Sequence, residues 1–319
     1  MFLRAESFLN PERLLRHKLI TKNDTFYWLK RFEIKNVSAS RYCEICCVKI
    51  SKNIVGKICG SHTMCRYPGK TIGASCRGFI NVQLTDEEKS AILDVHNSLR
   101  NKVALGLETI GNPGPQPPAS NMRIIKWNNE LSEIAQRWVA QCIFSHDLCR
   151  DTYNFPVGQN IGKGNLATDN ELSLIFTWYN EVKNFSNEDV FNFQLVSDQK
   201  VSFERYTQMI WADTNMLGCA RAIFQQTSGP TLSYIEHFVC NYGPTGNIPD
   251  QPVYNVGKPC STCPEGMGCS LEYEGLCEIN KEETNLMALD LDNSSLKLHK
   301  KNYFMYIYLT INLIKAAFY

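Results

Sequence analysis

The order of segments in this sequence predicts an α+β domain in layers, with helices covering a sheet. Three helix-periodic stretches come first, two β-rich runs around a turn-rich joint come late, and cysteine clusters flank both. A hydrophobic content of 44% over 319 residues supplies a medium domain with a sizeable core and appendages.

The first helix is predicted over "TDEEKSAILDVHNSLRNKVA", where Thr85 and Glu88 form a capping box. Ile92, Val95, Leu99 and Val103 then recur on one face. His96 lies beside that stripe and reads as a satisfied structural histidine rather than a ligand. Four prolines and two glycines in "GNPGPQPPAS" exclude helix and central strand, leaving a stiff exposed loop. A second helix is predicted over "WNNELSEIAQRWVAQC", with Leu131, Ala135, Trp138 and Cys142 on one face. A third follows in "DNELSLIFTWYNEVKNF", carrying Leu172, Ile175, Tyr179 and Val182. These apolar and aromatic stripes read as core. "LGCARAIF" and "TLSYIEHFVCNYG" flank "QQTSGP" and predict an antiparallel hairpin, with Cys219 and Cys240 near each other across it.

Charge excludes some partners. Lys+Arg of 33 against Asp+Glu of 32 gives a net +1, so nucleic acid and anionic membrane surfaces are not favoured. Fourteen cysteines in short flanking clusters suit a disulfide framework in an oxidising compartment. Zinc is the competing reading for Cys43-x-x-Cys46 and Cys260-x-x-Cys263, but neither pair has a second pair at finger spacing.

The ends are less orderly. Residues 1–42 have no apolar run long enough for a signal-peptide core, so they are expected to be an atypical leader absent from the active protein. Sequons stand at Asn23, Asn36, Asn184 and Asn293. Cys260, Cys263, Cys269 and Cys277 need cross-links to hold a segment too short for its own core. The tail from residue 280 ends in an apolar stretch interrupted by Lys315, too short for a comfortable membrane span. With Asn293 and its polar spacer it loosely resembles a GPI-anchor signal, although the spacer is short and the tail charged.

The stretch "QCIFSHDLCRDTYNFPVGQNIG" poses the functional question. His146 stands between Cys142 and Cys149, with Ser145 and Asp147 beside it. It could belong to a Cys/His pair, a Ser-His-Asp set, a metal site or a stapled loop. Consecutive residues rarely build a triad, because triads assemble from distant parts of a chain. A cysteine nucleophile would require a free thiol.

Two segments carry a resemblance. "ERYTQMIWADT", residues 204–214, is similar to the G-H-Y-T-Q-x-x-W-x-x-T signature of the CAP superfamily. That superfamily groups cysteine-rich secretory proteins, antigen 5 and plant pathogenesis-related proteins. "HFVCNYGPTGN" is similar to its second signature, and "HNSLRNKVALGLETIGNPGPQPPASNM" and "VGQNI" resemble insect venom allergen 5 proteins. The cysteine spacing of "YCEICC…HTMCRY…SC" is that of the antigen 5 amino-terminal region. The resemblance runs from about Tyr42 to Cys277.

It implies a three-layer α-β-α sandwich over 84–250, a Cys-rich segment over 43–80 and a hinge-like extension over 257–279. It also implies the pairs Cys43–Cys65, Cys47–Cys149, Cys76–Cys142 and Cys219–Cys240. Cys46 and Cys59 are left to each other, and the last four cysteines form two bridges of open connectivity. A secreted, non-enzymatic protein is implied, without cofactor, that binds a sterol, fatty acid or other small lipid, or a host protein or antibody. Phe144, Phe155, Phe176 and Phe191 could line a lipid groove, although core packing is the favoured reading of each.

The enzyme alternative is a metal-dependent or serine hydrolase. In the CAP pattern four positions meet in a central cleft: the histidine after the second helix, the acid of a G-E-N turn, the acid of the third helix and the signature histidine. Here they are His146, Gln159, Glu181 and Arg205. Arg205 offers a permanent cation and Gln159 only an amide, so no metal site and no enzyme are expected. Arg205 is instead expected to pair with Glu181. Ion-channel modulation is the third reading, lowered by a tail with four cysteines and no long basic face.

Overall fold

The computed structural model describes residues 41–51, 54–69, 71–195, 202–228 and 231–279. The leader, the tail after 279, and the sequons at Asn23, Asn36 and Asn293 lie outside the described residues. The chain forms two compact units, one reaching Gly69 and including Leu148–Tyr153, the other holding Lys70–Asp147 and Asn154 onward.

The first unit is built on staples. Strands β1 (Cys46–Ser51) and β2 (Ile54–Cys59) pair antiparallel with Cys46 opposite Cys59, and that pair is bridged. Cys43–Cys65 and Cys47–Cys149 close the rest. A single helical turn, Thr63–Arg66, is capped by the fully buried His62, whose Nδ1 accepts from the Met64 amide. A backbone N–H can only donate, so the His62 proton sits on Nε2 and is given to the Asp151 carbonyl at 2.8 Å. None of this appears in periodicity, because the hairpin is too short and too cross-linked to need an apolar face.

The second unit carries the layers. Helix α1 (Asp86–Ala104) starts at the Thr85–Glu88 capping box, with both reciprocal bonds formed. Helix α2 (Asn129–Val139) is capped by Asn128, and α3 (Glu171–Tyr179) by Asn170. Helix α4 (Glu204–Ile210) opens the "ERYTQMIWADT" segment. The sheet runs in the order β3 (Ile80–Val82), β6 (Met216–Ser228), β7 (Thr231–Gly243), β5 (Gly158–Asn165), with β4 (Lys126–Trp127) also against β6. Strands β6 and β7 form the predicted hairpin, and Cys219 faces Cys240 in its register with a disulfide between them.

Alternation along these strands sorts the layers. Leu217, Cys219, Phe238, Cys240 and Tyr242 join the main core with α1, α3 and α4, and Trp178 stacks on Phe238. On the opposite face α2 packs against β6 and β7. Gly218 permits this: a Cβ there would lie 2.2 Å from the Ser132 amide of α2. The result is a three-layer α-β-α sandwich.

Two boundaries differ from the sequence expectation. The units divide at Gly69 rather than near residue 80, because Cys76 bridges to Cys142 and β3 pairs with β6. The hinge-like extension is part of the second unit, not a separate piece. Strands β8 (Met267–Cys269) and β9 (Cys277–Ile279) are held by Cys260–Cys269 and Cys263–Cys277, and the Cys277 amide donates to Met122 at 2.7 Å.

His96 is the structural histidine the sequence suggested, buried between the Ile92 carbonyl and the Tyr242 hydroxyl. Arg100, four residues on, carries no signal in the sequence. Its fully buried guanidinium donates to the carbonyls of Arg123, Met209, Trp211, Ala212 and Thr214. Four of those follow or end α4, so Arg100 fixes the loop behind the signature helix.

Candidate functional site

The cleft opens beside β5, which is an edge strand among the described residues. Its cavity of about 540 Å³ is lined by Ser145, His146, Gln159, Asn160, Glu204 and Arg205, among others. Three of the four expected positions therefore share one cavity. Glu181 lies behind Arg205, in the short 3₁₀ turn Asn180–Asn184 that extends α3.

Arg205 and Glu181 are paired. The Arg205 Nε donates to Glu181 Oε1 at 2.6 Å, and Nη2 contacts the same oxygen. The other oxygen, Oε2, accepts from the backbone amides of Arg205 at 2.9 Å and Tyr206 at 3.4 Å. These are first-turn donors of α4, whose N-cap residue Phe203 supplies no side-chain cap. Glu181 is thus the cap of α4 as well as the counter-charge of Arg205. Both of its oxygens are occupied by the protein itself.

A relay fixes the opposite wall. The Asn241 amide nitrogen donates to the Leu131 carbonyl at 3.1 Å, so its oxygen must face Gln159. Gln159 Nε2 donates to that oxygen at 3.0 Å, which turns Gln159 Oε1 toward His146 Nδ1 at 2.8 Å. Because Oε1 only accepts, Nδ1 carries the proton. A backbone carbonyl two residues removed therefore sets the histidine tautomer. A triad base is oriented at Nδ1 by a carboxylate; His146 is oriented there by a neutral amide.

The cysteine-nucleophile reading fails on bonding. All fourteen cysteines are in disulfides and none is free, so Cys149 is not a thiolate. The Sγ atoms of Cys260, Cys263 and Cys277 lie within 4.8 Å of one another, but each belongs to a disulfide and none is a thiolate donor. The divalent cation of the CAP pattern does not fit the cleft either. A guanidinium stands at one ligand position, an amide at another, and the remaining acid is saturated.

Other expectations change. Phe144, Phe176 and Phe191 are exposed rather than in the core, and Phe144 also lines the cleft. Phe144 leans on His237, whose ring is fully buried between it and Phe224. Asn184 is a poor glycan acceptor, since its amide nitrogen donates to the Ser202 carbonyl and the next residue, Phe185, is fully buried. Sequence reasoning missed Asn241 of the relay and Asn160, whose amide donates to the Arg205 carbonyl at 3.0 Å; both sit inside quoted segments, but nothing in a single sequence separates such residues from strand filler.

The description "CAP: cysteine-rich secretory protein family" matches residues 93–242. Venom allergen 3 of Solenopsis invicta is 42% identical over 231 residues, spanning 70% of this chain and 93% of that protein. The chain belongs to the CAP family. Venom allergen 5 of Vespula vidua is 41% identical over 218 residues, 67% of this chain and 97% of that one. Among solved structures, Na-ASP-1 aligns with a TM-score of 0.52 and 26% identity, over 73% of this chain and 65% of its own. No helix among the described residues is long and apolar enough to cross a membrane.

Proposed function

We propose that this CAP protein is a secreted, non-enzymatic binder of venom-allergen type, taking a small lipid or a host protein as its partner. The Arg205–Glu181 pair carries the reading, because it fills the place where a catalytic cation or an oriented acid would act. A full set of disulfides supports an oxidising, extracellular setting. The relatives named venom allergen 3 and 5 support the same class.

Zinc titration by calorimetry tests the reading. The wild-type protein is expected to show no tight one-to-one binding. Arg205→His with Gln159→Glu should create measurable affinity, by restoring an imidazole and a carboxylate beside His146. Tight wild-type binding abolished by His146→Ala would overturn the proposal and reopen a metal-assisted hydrolase.

A further inference from the structure

A second cavity, remote in the sheet order from the cleft, lies along α2. Its volume is about 580 Å³, within the range of sites for small organic ligands. One wall is the outward face of α2 from Asn129 to Ala140, about 16 Å of helix. The other is the strap from Ile72 to Leu84 that leads into α1, and Cys219 of β6 also lines the cavity.

The frame is pre-formed. Cys76–Cys142 and the bond from the Gly73 amide to the Ala140 carbonyl fasten the strap at the end of α2. Gly73 is needed for this approach, since a Cβ would lie 2.6 Å from the Gln141 carbonyl oxygen. At the far end β3 pairs with β6, and Gln136 reaches across to Asn81 at 3.2 Å. A rigid cavity avoids much of the ordering entropy that binding would otherwise lose.

The lining has a polarity gradient. Asn129, Ser132 and Gln83 gather at the start of α2, while Ile72, Phe79 and Ala140 gather at its end. The charges at the cavity are matched on their own helices: Lys89 pairs with Asp86 at 2.8 Å, and Arg137 with Glu133 at 3.6 Å. Each cation already has an acid one turn away on its own helix, so a carboxylate headgroup would gain little from either. The amides of Gln83 and Asn129 remain to meet a neutral head, while the Ser132 hydroxyl donates to the Cys219 carbonyl at 2.9 Å and is left as an acceptor.

We infer that this groove binds an uncharged amphiphile, with its hydroxyl or amide end at the start of α2 and its apolar body against Ile72, Phe79 and Ala140. The inference rests on the binder reading above and names its ligand class, but it fails independently, because it does not involve the cleft.

The test is calorimetry with 1-decanol and decanoate as a matched pair. One-to-one binding of decanol is expected, at least tenfold tighter than decanoate. Ile72→Asp, at an exposed position, and Gln136→Trp, which fills the groove, should each weaken decanol at least tenfold. Arg205→Ala should leave it unchanged. Absence of decanol binding, equal or tighter binding of decanoate, or wild-type affinity in both groove variants would each overturn the inference. Loss of decanol binding in Arg205→Ala would place the ligand in the cleft and overturn it too.

Discussion

Two arginines bracket the signature helix, and they are held in opposite ways. Arg100 is fully buried and meets only backbone carbonyls, that of Arg123 and four at the end of α4 and beyond. Arg205 stands in the first turn of α4 with 45% of its side chain exposed and meets one carboxylate. A guanidinium solvated by fixed dipoles is part of the fold, and removing it orphans several buried acceptors at once. A guanidinium paired at a cleft wall has water close by to replace it. The contrast separates what builds this CAP domain from what sets its chemistry.

Breaking the buried side of the comparison should give the largest effect. Arg100→Met keeps the apolar stem but takes the guanidinium from five carbonyls, of which, among the described residues, only that of Ala212 keeps another donor, the Arg123 amide at 3.2 Å. A loss of roughly 3–5 kcal/mol is expected, because several buried neutral acceptors are left unsatisfied at about 1–3 kcal/mol each, partly offset by relief of the buried charge. Denaturant unfolding checks it, and a loss below about 1 kcal/mol would show that the loop behind α4 holds without Arg100.

A buried acid sharpens the same point, because it lacks what Arg100 has. Glu236 is 3% exposed, and its Oε1 has no hydrogen-bond partner among the described residues. The nearby Arg221 is engaged by Glu88 at 2.7 Å and by Glu171. Burial pushes the Glu236 carboxyl up to about 7; Arg221 opposes the shift, while Asp169 and Glu88 add to it. A raised folded pKa means that the native state holds its proton where the unfolded chain has lost it. Stability from this group therefore falls as pH rises from about 4.5 to about 7. Glu236→Gln should remove that fall, worth about 3 kcal/mol by pH 8. The pH series must be compared between the two proteins, since His96 and His237, both lowered to about 4 by burial, act in the opposite sense over the same window. Parallel stability profiles for wild type and Glu236→Gln would refute the assignment.

Legibility followed the same division. The helices, the hairpin and its disulfide were readable because caps, 3.6-residue periodicity and turn residues are local signals. The four cleft positions were readable only through the CAP resemblance. Arg100 was hidden because its partners are carbonyls, which every residue has. Phe176 is exposed because the apolar stripe of α3 does not say which side meets the core, and Phe144 and Phe191 lie in irregular segments where no periodicity reports burial at all. The stapled first unit carried no periodic signal, since covalent bonds take over much of the task of apolar burial there.

The smallest effect belongs to the cleft arginine. Arg205→Ala removes two contacts to Glu181, yet the carboxylate keeps the amide donors of Arg205 and Tyr206 and the positive end of α4. The adjoining cavity of about 540 Å³ admits water to the vacated side. A loss of about 1–2 kcal/mol is expected, above an exposed ion pair but below a fully buried one. Glu181→Ala should lose at least as much, because it takes away the cap of α4 together with the pair. In the double variant the two losses should fall short of adding, since Arg205 has little left to hold once Glu181 is gone. Strict additivity in thermal or denaturant unfolding would mean that the pair contributes nothing and that Glu181 acts as a cap alone.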